Sequence, residues 1–172
     1  MHAPRRKHPS EAHKHSALES LSIAGIAARM SPVGLHFYAE GFLRAAVSTD
    51  GDPTAFEPAR YYLVCHAIEL CLKAFLSLRG NLMIDMAKDP GHDLERLLAR
   101  AKAGGLSEVV TLGNHHEVAI HMATNYYREK VFEYPALGEA IRAYPGLPYY
   151  DDLTSAAFEL VTKLRDPCIN AE

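Results

Sequence analysis

Three polar side chains that could do chemistry follow one another along a strongly apolar segment: His66, Glu69 and Lys73. Their spacings of three and four residues place them on one face if the segment is a helix. An imidazole, a carboxylate and an ammonium group in a row can exchange protons or bind a charged ligand. Two interpretations stay open: a polar row shielded inside the protein, or an exposed seam with an ordinary Glu69–Lys73 ion pair.

A second pair of polar residues, His92 and Asp93, follows Pro90-Gly91 directly before an apolar-periodic segment. This position predicts the start of a helix, where a carboxylate caps free backbone N–H groups and an imidazole can meet an anion. Capping is the role that we favour. We also predict that His92 reaches across to Glu69 and forms a buried hydrogen-bonded pair with it.

A third group comprises Asn125-Tyr126-Tyr127-Arg128 and, shortly after it, Lys130. A planar guanidinium beside stackable rings suits a nucleotide or single-stranded RNA. Alternatively, the tyrosines pin a loop against the protein while Arg128 donates to carbonyl groups. With these, the candidate ligand-binding residues are His66, Glu69, Lys73, His92, Asp93, Asn125 and Arg128.

The segment His115-His116-Glu117 with His121 invites comparison with a metalloprotease motif. On a helix, however, His116 and His121 would lie about 140° apart and could not share one zinc ion. Glu117 and His121 do face the same way, but no third ligand accompanies them. We therefore predict no metal site and no cofactor. The sequence also has no nucleophile motif, glycine-rich phosphate loop or dinucleotide fingerprint.

The elements that must position these residues are all predicted to be helices. The central helix runs from about Pro58 to Gly80 and is apolar around most of its circumference, which is typical of a helix buried among others. One narrow polar stripe remains on it: Tyr62, His66, Glu69, Lys73 and Ser77. The architecture predicted is an all-α, up-and-down bundle of four to six helices around this long buried helix.

Capping and turn residues predict where the neighbouring helices begin and end. Ser31-Pro32 begins one helix, and Gly104-Gly105 ends the helix that follows Asp93. Ser107 is predicted to cap the helix that carries His121. Asp151-Asp152 is predicted to cap a last helix, which Asp166-Pro167 breaks.

The two remaining regions lack a long helical pattern. Residues 1–17 carry many basic and histidine side chains and predict a flexible tail, so that residues 18–172 form the single helical domain. Leu18 to Met30 is predicted to be a short helix. Its apolar run is interrupted by the charged residues Glu19 and Arg29, so we do not interpret it as an export signal. Between Phe132 and Tyr150, prolines and glycines predict an ordered, aromatic-rich loop.

Composition narrows the class of protein further. The chain has 172 residues, with 18 basic and 21 acidic side chains and a formal net charge of −3, so a polyanion would have to be held locally. The chain has three cysteines, Cys65, Cys71 and Cys168, and their spacing is not that of a metal site. Because their number is odd, a disulfide framework is disfavoured and a reducing compartment is favoured. We expect a cytoplasmic protein with no membrane partner.

Two motifs lie on the predicted helices: Tyr62-x3-His66-x2-Glu69-Leu70-x2-Lys73-Ala74-Phe75-Leu76 and Gly91-His92-Asp93-Leu94. They resemble the HEPN domain, a helical nucleotide-binding domain of higher eukaryotes and prokaryotes. The segment from Asn125-Tyr126-Tyr127-Arg128 through Phe132-Glu133-Tyr134-Pro135 is similar to one bacterial subgroup of that family. The resemblance covers roughly Val33 to Leu164.

The resemblance implies a bundle of four or five helices, often dimeric, that binds nucleotides or RNA. Many members are metal-independent RNA-cleaving toxins or defence nucleases, and these carry an arginine and a histidine with four to six residues between them near the last helix. Here Asp151 to Arg165 has no histidine. Arg60 and His66 have that spacing, as do Arg6 and His13, but the first pair lies on the central helix and the second in the tail.

Without that histidine, attack by a 2′-hydroxyl loses its proton shuttle. We therefore expect an HEPN-like domain that binds nucleotide or RNA without cleaving it, as a homodimer and with an antitoxin protein as a further partner. One alternative is an endoribonuclease of the toxin or defence type, with His66 or His92 as base or acid and Arg128 as phosphate clamp. The other is a non-catalytic dimeric interaction module.

Overall fold

The computed structural model of the protein describes residues 30–48, 57–134, 144 and 146–171. These parts contain no strand, and the predicted all-α bundle is confirmed. The helices are α1 (Pro32–Ser48), α2 (Pro58–Leu78), α3 (Met83–Lys88), α4 (Leu94–Ala103), α5 (Asn114–Arg128) and α6 (Tyr150–Ile169).

Helix α2 is the centre of the bundle, because α1, α4, α5 and α6 all pack against it. Its largest apolar side chains are almost completely buried, and each stabilises the fold by roughly 1.5–3 kcal/mol. By length and composition alone, α2 could cross a membrane, yet 67% of its most apolar window is buried inside the protein. That burial is what the core helix of a bundle requires.

Helix α1 begins as predicted at Ser31 and Pro32. The Ser31 hydroxyl accepts a hydrogen bond of 3.2 Å from the backbone N–H of Gly34, and Pro32 takes the first helical position. The buried face of α1 packs on both α2 and α6. Its side chains are Leu35, His36, Ala39, Leu43 and Ala46.

Helix α4 also begins as predicted, since the Asp93 carboxylate accepts a hydrogen bond of 3.0 Å from the Arg96 backbone N–H. The prediction that Ser107 caps the next helix is wrong. Ser107 lies in a 3₁₀ turn, Leu106–Glu108, that follows Gly105 at φ +90°, and α5 begins only at Asn114. Leu106 is buried and anchors this turn against the core.

The bounds predicted for α6 are wrong at both ends. Tyr149 is the N-cap residue, whereas Asp151 and Asp152 lie in the first turn, where their charges favour the helix dipole. At the other end, α6 continues through Pro167 to Ile169. Proline removes only one backbone donor in that last turn, and the buried Cys168 keeps it packed on the core.

Several sequence-based predictions fall outside the described residues: the tail of residues 1–17, nearly all of the short helix from Leu18 to Met30 and most of the aromatic-rich loop. Within the described parts, Tyr61, Phe132 and Tyr150 form an aromatic cluster where the residues after α5 and the start of α6 meet α2. The three cysteines are buried and reduced.

Candidate functional site

The carboxylate of Glu69 lies at the centre of a polar cluster inside the bundle, with 2% of its side chain exposed. Its Oε1 accepts a hydrogen bond of 2.5 Å from Lys73 Nζ. Its Oε2 accepts one of 2.5 Å from the Tyr127 hydroxyl and one of 2.9 Å from His92 Nδ1. Three elements therefore meet at one carboxylate: α2, α5 and the segment that leads into α4.

Opposing influences act on the pKa of Glu69. Burial raises it, but the polar contact with the nearby His66, the charge and hydrogen bond of Lys73 and the hydrogen bond of Tyr127 together lower it to about 2. Burial and the neighbouring Glu69 charge raise the pKa of Tyr127. The carboxylate is therefore ionised and the phenol is neutral, and Tyr127 acts as a hydrogen-bond donor to Glu69.

These protonation states determine which nitrogen of each histidine carries a proton. Tyr127 gives its single proton to Glu69, so its oxygen must accept from Nδ1–H of His66, 2.8 Å away. An ionised carboxylate only accepts, so His92 must likewise donate from Nδ1 to Glu69. In their neutral forms, both imidazoles then carry a lone pair on Nε2, for which no described residue provides a donor.

Aromatic rings hold the two imidazoles in place. The ring of Phe42 meets His66 edge-on at 4.5 Å between centroids, and the Tyr62 ring lies nearly parallel to His66 at 5.6 Å with 11° between planes. The His92 ring meets Tyr127 edge-on at 5.9 Å. Packing and hydrogen bonding therefore restrict both rings, which is the condition for a preorganised acid–base or binding group.

Arg128 lies beside this cluster at the end of α5. Its Nη1 donates to Asp93 Oδ2 at 3.3 Å and its Nη2 to Asn125 Oδ1 at 3.0 Å, while 48% of the side chain remains exposed. Asp93 also caps α4 and directly follows His92 in the chain, so the guanidinium is bonded to the same segment that carries His92. An arginine has five N–H donors, so this one can still donate to an anion.

The seven candidate ligand-binding residues thus meet at one place, and burial divides them into two groups. Glu69, Lys73 and Asp93 are buried, with 2%, 5% and 8% of the residue exposed. They support their neighbours, and the predicted alternative of an exposed Glu69–Lys73 seam is wrong. The four others reach the surface at least in part: His66, His92, Asn125 and Arg128. The predicted hydrogen bond between His92 and Glu69 is present, but the His92 side chain is 58% exposed, so the pair is not buried on both sides as predicted.

Tyr127 is not among the seven residues predicted from the sequence, although its hydroxyl connects Glu69 to His66. The sequence suggested the beginning of a loop here, but α5 continues through Arg128 and turns Tyr127 inward. A helical signal was present, since His116, Ile120, Ala123 and Tyr127 recur at spacings of four, three and four and are all buried.

His116 has a structural role at the start of α5. Its Nδ1 accepts a hydrogen bond of 3.2 Å from the Gly113 backbone N–H, so Nε2 carries the proton and donates to Ser155 Oγ at 3.1 Å. Burial and the neighbouring His115 lower the pKa of His116. This tautomer cannot take a proton from Ser155, so the pair is not a serine nucleophile with its base.

The other residues of the histidine-rich segment are held by ion pairs between α4 and α5. Lys102 Nζ bonds both carboxylate oxygens of Glu117 at 2.8 and 2.9 Å, and His121 Nδ1 lies 3.1 Å from Glu95. Among the residues that the structure describes, no three His, Cys, Asp or Glu side chains are arranged to hold a metal ion.

Arg60 does not join His66 in a common site. Its guanidinium lies 4.3 Å from the centroid of the Tyr150 ring, and its Nε donates to the Ala46 carbonyl at 3.4 Å. His66 lies six positions further along the helix, which turns the two side chains about 120° apart. The Arg60–His66 spacing is therefore accidental, as the sequence suggested.

Comparisons with protein-family models, curated proteins and solved structures find no match for the chain. Its function must therefore be inferred from the residues around Glu69 themselves. They offer two hydrogen-bonded imidazoles, an exposed guanidinium and an aromatic ring, Tyr62, within one surface region. Such a region can bind a phosphate group, and its histidines can accept or release protons.

Proposed function

We propose that this chain is an HEPN-like helical domain that binds a nucleotide or RNA at the surface formed by His66, His92 and Arg128. One observation carries the proposal: Glu69 and Tyr127 hold both imidazoles by Nδ1, next to an arginine whose guanidinium is half exposed. The resemblance in the motifs around His66 and His92 supports the same class of ligand.

The ligand class follows from the charges. Glu69 is paired with the buried Lys73, and the two carboxylates nearest to Arg128, Asp93 at 3.3 Å and Glu129 at 3.8 Å, both pair with its guanidinium. Arg128 can donate to phosphate oxygens through its remaining N–H groups, and a protonated imidazole adds a second cationic donor. The half-buried ring of Tyr62 provides an aromatic surface of the kind on which nucleobases stack.

Calorimetric titration with nucleoside mono-, di- and triphosphates and with short single-stranded RNAs tests this proposal. We expect saturable binding that weakens as salt rises, because phosphate contacts release counterions. Arg128→Gln should weaken that binding by roughly 10- to 100-fold, since a hydrogen bond to a charged group contributes about 1.5–3 kcal/mol.

The matched control is Arg79→Gln. Arg79 has a similarly exposed side chain, 45% against 48% for Arg128, and it lies beyond the end of α2 near Glu108. Its substitution removes the same charge from the protein but should leave the affinity nearly unchanged. Equal losses in the two variants, or no binding of any nucleotide or RNA by wild type, would refute a phosphate site at Arg128.

A second candidate is a metal-independent endoribonuclease, and the tautomers of the two histidines favour it. One Nε2 lone pair can take the proton of a 2′-hydroxyl as its oxygen attacks phosphorus. The other imidazole, when protonated, can give its proton to the leaving 5′-oxygen as the P–O bond breaks. End-labelled RNA incubated with EDTA tests this candidate: cleavage lost in both His66→Ala and His92→Ala supports it, and intact RNA with wild type contradicts it.

A further inference from the structure

The outer face of α1 carries unusually large exposed apolar side chains. Phe37 is 69% exposed and Val47 is 43% exposed, and Phe158 on the neighbouring α6 is 48% exposed. The only charged residues on α1 are Glu40 and Arg44. Within the described parts of the chain, neither makes an ion pair. Exposed apolar side chains that share one side of the bundle make it a candidate interaction surface.

The residues on this outer face of α1 are arranged symmetrically about the middle of the helix. Phe37, Glu40, Arg44 and Val47 follow one another at spacings of three, four and three, so they share one face. Reversing the helix about the position of Phe42 exchanges Phe37 with Val47 and Glu40 with Arg44. The reversal therefore exchanges one apolar residue for another and one charged residue for a residue of opposite charge.

We propose that this face binds a second copy of the chain, with the two α1 helices antiparallel about a two-fold axis near residue 42. A two-fold contact uses the same patch on both subunits, so the patch must complement itself. On α1 it does: Glu40 faces Arg44 of the partner subunit, and Phe37 faces Val47 of the partner subunit. Binding to a different protein would not require the order of residues on this face to match its own reversed order.

A groove between α1 and α6 provides the site for the partner's Phe37. It has a volume of about 320 Å³, and its lining includes Leu43 and Val47 from α1 with Phe158 and Val161 from α6. Val47 is the residue that the two-fold places opposite Phe37, so the partner's ring enters this groove. Phe158 extends the contact beyond a single helix pair, toward the ~800 Å² per partner that stable dimers bury.

Gly41 allows the two helices to approach closely. It lies on the outer side of α1, and a methyl group added there would meet nothing within 4 Å in the isolated chain. The position is therefore open to a neighbouring backbone. This contact lies on the opposite side of α1 from Phe42, which packs on His66, so the dimer leaves the histidine site uncovered.

The test is the oligomeric state of the full chain, measured by sedimentation equilibrium on wild type and on charge-reversed variants. Glu40→Arg alone sets two arginines against each other at both cross-subunit pairs, and Arg44→Glu alone sets two glutamates against each other there. Each variant should raise the dimer dissociation constant at least about tenfold. The double variant Glu40→Arg/Arg44→Glu restores both opposite-charge pairs and should dimerise like wild type.

Mixing the two single variants gives the sharpest result. Each variant alone should be largely monomeric, yet the mixture should form a heterodimer. One pair then holds the introduced arginine against the introduced glutamate, and the other holds the native Glu40 against Arg44 of the partner subunit, so both pairs are complementary again.

Lys88→Glu, a charge reversal on the exposed part of α3, is the control and should dimerise like wild type. A wild type that stays monomeric at roughly 100 μM, or a dimer unaffected by either single reversal, overturns the proposal.

Discussion

The hydroxyl of Tyr127 on α5 lies 2.5 Å from Oε2 of Glu69 on α2, and the two residues are 58 positions apart in sequence. This hydrogen bond connects the core helix to the end of α5. It also makes the Tyr127 oxygen an acceptor for His66, 2.8 Å away. The orientation of one surface histidine therefore depends on a bond between two buried groups.

Tyr127→Phe removes one hydroxyl and leaves the ring. We expect the free energy of unfolding to fall by about 1–3 kcal/mol, because buried Glu69 loses a donor and His66 loses its acceptor. Urea denaturation measures the change. Tyr134→Phe, on an exposed tyrosine, should change stability by less than about 0.5 kcal/mol. Equal effects from the two substitutions would mean that the Tyr127 hydroxyl contributes nothing special.

Glu69→Gln should destabilise the protein more strongly, by about 3–5 kcal/mol, because it leaves the Lys73 ammonium buried without its counter-charge. The double variant Glu69→Gln/Lys73→Met should be more stable than Glu69→Gln alone, since it removes that charge as well. Urea denaturation of both variants compares them. If the double variant is the less stable one, the ammonium has found another partner.

Stability should depend on pH in acid through Glu69. Its pKa falls from an ordinary value of 4.5 in the unfolded chain to about 2 in the folded protein, so the folded state binds fewer protons. The resulting stabilisation is complete above about pH 4.5 and is lost as the pH falls toward 2. Denaturation curves between about pH 6 and pH 2 should therefore be flatter for Glu69→Gln than for wild type, whereas parallel curves would contradict the lowered pKa.

Sequence patterns predicted the fold more fully than the site. The apolar circumference of α2 and the caps at Ser31 and Asp93 are local signals, and all three correspond to the structure. The spacing of His66, Glu69 and Lys73 predicted a shared face, but not its burial, which depends on how α4 and α5 pack.

Two kinds of error have a physical reason. Ser107 and Asp151 are good capping residues by type, but Ser107 lies in a separate 3₁₀ turn and Asp151 lies in the first turn of its helix rather than at the N-cap. Tyr127 was assigned to the segment that leads into the aromatic-rich loop, whereas it lies in the last turn of α5. Its contact with Glu69 joins elements far apart in sequence, and such a contact depends on tertiary packing that single-residue propensities do not encode.

Asp93 has two partners, and two substitutions separate their contributions. One carboxylate oxygen caps α4 through the Arg96 N–H, and the other bonds the half-exposed Arg128. Asp93→Ala loses both and should lower the free energy of unfolding by about 1 kcal/mol or more, whereas Asp93→Asn keeps a capping oxygen and should lose less than half of that. The ion pair itself adds little, because water screens Arg128. Chemical denaturation distinguishes the two variants, and equal losses would show that the charge on Asp93, rather than its cap, holds the start of α4.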